Sequence, residues 1–217
     1  MKTLHYMLLE YLLIVRLHFR ALWQRPPAAW NKGNAGDVLL IPGFAEPWIF
    51  LTTIAEQLNT LGYHVHTVPE LNYNTQPVAA CVEILHEYIQ THSLEHVLLI
   101  GHSKGGLVAK GYLDAHPEKV GKVITLSAPF QGTWVGKLWI CNLQELCPGS
   151  SLITNLLQKP PAPGRLLNLY AHRDNHILPN KNALLPGAQN IEIPVIGHTR
   201  IVEDNKTFQA IKKYINA

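Results

Sequence analysis

Hydrophobic positions along this chain follow two alternating rhythms. Short aliphatic or β-branched runs at Asp37–Ile41, His64–Val68, His96–Ile100, Val120–Leu126, Arg165–Tyr170 and Ile191–Val195 have the length and composition of buried strands. Stretches in which apolar residues return every three or four positions, at Pro47–Leu61, Pro77–Thr91, Lys104–Ala115 and Glu203–Ile215, predict amphipathic helices. Pro47 and Pro77 open two of them, where a helix does not need the missing N–H. The alternation predicts an α/β fold: a mostly parallel six-stranded sheet flanked by helices on both faces. It breaks once, at residues 128–164, which are too long for a plain connection and predict a small lid-like insertion.

An extra N-terminal helix is predicted ahead of the alternation, where Leu4, Met7, Leu8, Tyr11, Val15, Phe19 and Leu22 fall at helical spacing beside Arg16, Arg20 and Arg25. Its apolar start behind Lys2 has features of a signal peptide or anchor. His5 and Glu10 interrupt it, however, and it falls short of the ~20 apolar residues of a membrane span. A helix lying on a membrane surface or binding a partner, and a helix packed on the domain itself, both remain open. The Pro/Gly/Asn-rich "QRPPAAWNKGNAGD" behind it is a connector, so residues 1–30 are expected as helix and linker and 31–217 as the main domain.

Composition narrows the classes. With 217 residues, 47% of them hydrophobic, the chain can bury one substantial core. A net charge of +3, with 15% charged residues and no basic run, leaves no electrostatic footprint for nucleic acid. Cys81, Cys141 and Cys147 are too few for a disulfide framework or a zinc site and read as small buried hydrophobes; a Cys141–Cys147 bridge stays open if the protein is exported. A cytoplasmic or membrane-associated location is favoured on these grounds.

The strongest local signal is Gly101-His102-Ser103-Lys104-Gly105, set between a predicted strand and a predicted helix. Glycines two residues either side of a serine let the chain turn sharply enough to project the hydroxyl above the sheet edge. The same corner puts the N–H of Lys104 at a helix N-terminus, where an unpaired donor can hold an oxyanion.

A serine nucleophile needs a base, and the base a carboxylate to orient it. Of His116, His172, His176 and His198, only His198 follows the last strand on a glycine-preceded loop, in "VIGHTRI". Of Asp114, Glu118, Glu145, Asp174 and Glu192, only Asp174 directly follows a strand, in "LLNLYAHRDNHILP". His172 and His176 read as loop histidines, and His64 and His66 as same-face strand histidines without a partner set, so no metal is assigned.

In this order, each residue at a strand end, Ser103, Asp174 and His198 resemble the triad of the α/β-hydrolase superfamily, lipase- and esterase-like members in particular. "GHSKGG" resembles its nucleophile elbow, "LSAPFQGT" is similar to a segment after the next strand in lipase-like members, and "CPGSSLITNLL" resembles a segment near their lid. The resemblance covers residues 37–217. It implies a second oxyanion donor in the loop after the first strand, here "IPGFAEP": the N–H of Phe44, with Pro42 standing where the family often has histidine.

Acyl transfer to water is the implied reaction, without a cofactor, on a small-molecule or lipid ester. Phe44, Trp48 and Phe50 in one loop, and Phe130, Trp134, Trp139, Ile140, Leu152, Ile153, Leu156 and Leu157 in the insertion, offer an apolar surround for an acyl chain, with Phe44, Trp48, Phe130 and Trp134 as the substrate-binding choice. A catalytically silent binding protein of this fold, and a thioesterase or amidase, are the rival readings. Every candidate catalytic residue lies beyond residue 30, so a helix lying on a membrane surface is expected to be dispensable for hydrolysis of a soluble ester, whereas loss of a helix packed on the core is expected to destabilise the domain.

Overall fold

The computed structural model describes residues 2–138 and 141–217, with side chains from residue 5 onward. The side chain of Leu4, and Trp139 and Ile140 altogether, lie outside the described residues. Six strands, β1 (Asp37–Ile41), β2 (His64–Thr67), β3 (Val97–His102), β4 (Val120–Leu126), β5 (Leu166–Arg173) and β6 (Gln189–Ile196), form one sheet in the order β2-β1-β3-β4-β5-β6. Every pairing is parallel. The chain leaves β1 toward β2 and then crosses back to β3, so crossovers diverge between β1 and β3. A crevice opens beyond the carboxyl ends of strands at such a switch point.

Alternate residues of the buried strands feed two cores. Leu39, Ile41, Leu99 and Val123 pack toward α3 (Val78–Thr91), α4 (Lys104–Ala115) and α5 (Ser151–Gln158). Val38, Leu40, Leu98, Ile100 and Ile124 pack toward α2 (Thr52–Thr60) and α6 (Asn205–Ile215). The helix expected from Glu203 starts two residues later because Asp204 caps it, accepting the N–H of Lys206 at 2.8 Å. The 128–164 insertion consists of two 3₁₀ turns, Trp134–Leu138 and Leu143–Leu146, followed by α5, whose Ser150 cap accepts the N–H of Ile153. Cys81 is buried as expected, but Cys141 is exposed and Cys147 partly so, and no disulfide joins them.

Helix α1 (Lys2–Ala21) is built into the domain. Leu13 and Leu17 are buried against Ile49 and Phe50. Burying two leucines contributes about 3–6 kcal/mol, a large share of the ~5–15 kcal/mol by which a domain is stable. Polar ties fix the helix further. The fully buried Glu10 carboxylate accepts the N–H groups of Thr199 at 2.6 Å and Arg200 at 3.1 Å, and Arg16 pairs with Glu203 at 2.6 Å. The charge that interrupts the apolar run is thus the group that docks it, next to His198. Among the described residues no helix is long and apolar enough to cross a membrane.

Candidate active site

Ser103 sits between β3 and α4 with φ +52° and ψ −123°, a strained conformation that costs on the order of 1–3 kcal/mol. Its neighbours explain how the fold tolerates it. A Cβ on Gly105 would lie 2.1 Å from the carbonyl oxygen of Ile41, and one on Gly101 would lie 2.3 Å from that of Gly105. The Ser103 N–H donates to the Leu126 carbonyl at 2.8 Å, which anchors the turn to β4. Lys104 opens α4 with its peptide N–H. Its side chain is buried elsewhere: Nζ donates to the carbonyls of Asn74, at 3.0 Å, and Gln76, and lies 3.7 Å from Glu145. Burial lowers the ammonium pKa against the opposing pull of Cys81 and Glu145.

His198 and Asp174 meet across the ends of β6 and β5. His198 Nδ1 lies 2.8 Å from Asp174 Oδ2, and both side chains are almost wholly buried. The other carboxylate oxygen accepts the N–H groups of His176 and Ile177, each at 2.8 Å. Burial alone would raise the Asp174 pKa; the His198 charge and hydrogen bond, with the two peptide N–H groups, outweigh it and hold the pKa at about 2. Burial would likewise lower the His198 pKa, but Asp174, Glu46 and Glu10 drive it above the usual imidazole range. Ser103 and His198 line one cavity without a direct hydrogen bond between them, the loose geometry common before substrate binds.

Rival acids and bases are engaged elsewhere. Asp114 pairs with Lys110, Glu145 accepts the N–H of Val78 at 3.0 Å, and Glu192 pairs with His172 at 2.9 Å. His116 stacks on His86, with ring centroids 3.9 Å apart. His176 is not a bystander, however. It lines the cavity with its ring centroid 4.5 Å from that of His198, and burial and the His198 charge push its pKa down to about 4.

The loop after β1 carries Phe44 to the cavity, and it is braced by residues the sequence reading missed. Glu46 Oε2 accepts the N–H of Gly43 at 2.7 Å and contacts His102 Nδ1 at 2.7 Å. His102 Nε2 in turn reaches the backbone carbonyl of His198 at 3.1 Å. Burial would raise the Glu46 pKa, but His102, His198 and the Gly43 N–H lower it on balance. Glu46 and His102 therefore tie the Phe44 loop to the His198 loop. The available signal was His102, a bulky ring beside the serine in a glycine-flanked elbow.

The cavity holds about 320 Å³. Phe44, Phe50, Trp134, Val135, Leu138, Leu143 and Leu146 line it from the domain, and Tyr11, Ile14 and His18 line it from α1. Two of the expected substrate contacts do not reach it. Trp48 turns to the other side of its loop, edge-on to Trp30 at 5.5 Å between ring centroids, and Phe130 is fully buried in the core against α4. Ile153 and Leu156 are likewise core. The N-terminal helix, whose packing on the domain the sequence left open, forms one wall of the cavity.

The family described as "PGAP1-like alpha/beta domain" matches residues 48–139, a span that includes Ser103 but ends before Asp174 and His198. Among solved structures, the mature lipase BlEst2 of Bacillus licheniformis superposes with a TM-score of 0.67 at 20% identity, over 88% of this chain and 94% of its own. The α/β-hydrolase enzyme MGS-MChE2, from the metagenome of sediments of the Mar Chica lagoon in Morocco, gives 0.65 at 18% identity, over 85% of this chain and 92% of its own. No curated protein matches the chain.

Proposed function

We propose that this chain, which has the α/β-hydrolase fold, is a serine hydrolase cleaving carboxylic esters that carry an apolar group. The observation that carries this reading is the strained Ser103 sharing a cavity with a buried His198–Asp174 pair. Ser103 Oγ attacks the ester carbonyl carbon while its proton passes to His198 Nε2; Asp174 stabilises the imidazolium through Nδ1–H. The peptide N–H groups of Phe44 and Lys104 hold the tetrahedral oxyanion. The leaving alkoxide takes the proton from His198 and departs as the alcohol. Water then loses a proton to His198 and attacks the acyl-serine, and collapse returns that proton to Ser103 Oγ as the acid leaves.

Apolar lining supports an acyl chain rather than a charged substrate, since each buried methylene contributes about 0.8 kcal/mol. Hydrolysis of p-nitrophenyl esters of increasing chain length tests the proposal. kcat/KM should rise with the first added methylenes and then level off as a cavity of this size fills, and Ser103→Ala should abolish turnover with the fold intact. A wild-type chain inactive on every ester, thioester and amide offered would favour a silent binding protein.

A second reading rests on the outer face of α1. Leu8, Leu12, Val15 and Phe19, on the helix that walls the cavity, and Leu22 and Trp23, just past its end, are 57–70% exposed. We propose that this stripe rests on a membrane surface, with Arg20 and Arg25 favouring anionic headgroups, and so brings the cavity close to lipid esters. Co-sedimentation with anionic liposomes, weakened by Phe19→Ser/Leu22→Ser, is the expected result; unchanged binding in that variant would reject it.

A further inference from the structure

Three polar side chains meet at the edge of the sheet, near the amino ends of β1 and β2 and away from the carboxyl ends where Ser103 lies. His64 and His66, two residues apart in β2, project from one face. Parallel pairing supplies the third partner that their sequence neighbourhood lacks. The register sets Asp37 opposite His64 and Leu39 opposite His66, so Asp37 falls on the histidines' face. Asp37 Oδ1 lies 3.3 Å from His64 Nδ1 and 3.0 Å from His66 Nε2, and the donor atoms of all three residues lie within 4.8 Å of one another. A tetrahedral ion with ligands at roughly 2.0–2.2 Å keeps neighbouring donors about 3.3 Å apart, close to both distances from Asp37 to the histidines.

The surroundings match what a ligand set needs. The remaining ring nitrogen of His66, Nδ1, lies 3.1 Å from the Tyr88 hydroxyl, a contact that fixes the ring and leaves Nε2 to face the ion. His66 is buried, whereas Asp37 and His64 are 29% and 32% exposed, which lets an ion arrive from solvent and leaves a fourth position for water. We propose that Asp37, His64 and His66 form a binding site for a first-row divalent cation such as Zn²⁺. Two imidazoles and one carboxylate suit that class; Ca²⁺ and Mg²⁺ take oxygen ligands almost throughout.

The test is calorimetric titration of the chelator-treated full chain with ZnCl₂. One equivalent should bind and be lost in both His64→Ala and Asp37→Asn. Tyr88→Phe, which leaves all three ligands in place, should weaken binding about tenfold or more. Circular dichroism reads whether each variant is folded, and Tyr88→Phe carries the test if either ligand variant is not. Failure of the wild type to bind Zn²⁺, or an equivalent retained at the same affinity in all three variants, would overturn the site and leave a plain histidine–aspartate cluster.

Discussion

Two buried histidine–carboxylate pairs lie side by side in this molecule, with ring centroids 4.9 Å apart, and they differ in what their second ring nitrogens meet. In one, His198 Nδ1 meets Asp174 at 2.8 Å; in the other, His102 Nδ1 meets Glu46 at 2.7 Å. The contacts are alike, and the second ring nitrogen separates them. His102 Nε2 is tied to the carbonyl of His198, while no hydrogen bond occupies His198 Nε2, whose ring lines the cavity with Ser103. A histidine with both nitrogens engaged braces two loops. One with a nitrogen left over can move a proton.

Breaking the first pair should have the largest effect. Asp174→Asn keeps the shape but favours the wrong imidazole tautomer, and turnover should fall about 10⁴-fold in steady-state kinetics. Removing residues 1–25 attacks the ground both pairs share, because Glu10 docks beside His198 and Leu13 and Leu17 are core. The truncated chain should lose about 3–6 kcal/mol in urea unfolding, and with it hydrolysis of even a soluble ester. Survival of both would return α1 to the status of a detachable appendage.

Breaking the second pair should cost less. Glu46→Gln loosens the Phe44 loop without removing a donor, so kcat should fall by at most the ~10²–10³-fold seen when an oxyanion donor is lost outright. The pH profile sharpens the point. His198 must be neutral to act as base, so activity should rise with pH along a limb above the ordinary imidazole range. Glu46→Gln removes a charge that raises the His198 pKa and should move that limb toward acid.

The smallest effect is on stability at acid pH. With the folded Asp174 pKa at about 2, against 3.8 as the reference value, its contribution is full above the unfolded pKa and is lost as pH falls toward 2. The loss is on the order of 2 kcal/mol. His176, at about 4 against 6.5, adds a destabilisation that develops as pH falls from 6.5 toward 4. His198 runs the other way: its contribution is present below 6.5 and lost as pH rises through its raised folded pKa. Urea denaturation across pH should show the lowest of these windows vanish in Asp174→Asn.

What the sequence made legible follows from the range of each constraint. The elbow is local: strand, glycine spacing and helix lie within a few residues, and Lys104–Ala115 is the helix read from the pattern. That Asp174 and His198 meet was readable because a parallel sheet presents its strand ends at one rim. Glu46, His102 and Glu10 act on groups up to 190 positions away, so no window along the chain holds both partners. Trp48 and Phe130 were misplaced because nearness in sequence to a catalytic loop does not say which way a side chain turns. Asp37 with His64 and His66 is the same lesson in a sheet: the register, not the spacing, brings them together.

The proposed mechanism turns on Ser103 as nucleophile and His198, not His102, as its base. Fluorophosphonate labelling with mass-spectrometric location of the adduct tests this most directly. One phosphonylated residue, Ser103, is expected, labelled rapidly in the wild type, with labelling lost in His198→Ala. An adduct on any other serine, or labelling of Ser103 at the wild-type rate in His198→Ala, would contradict it.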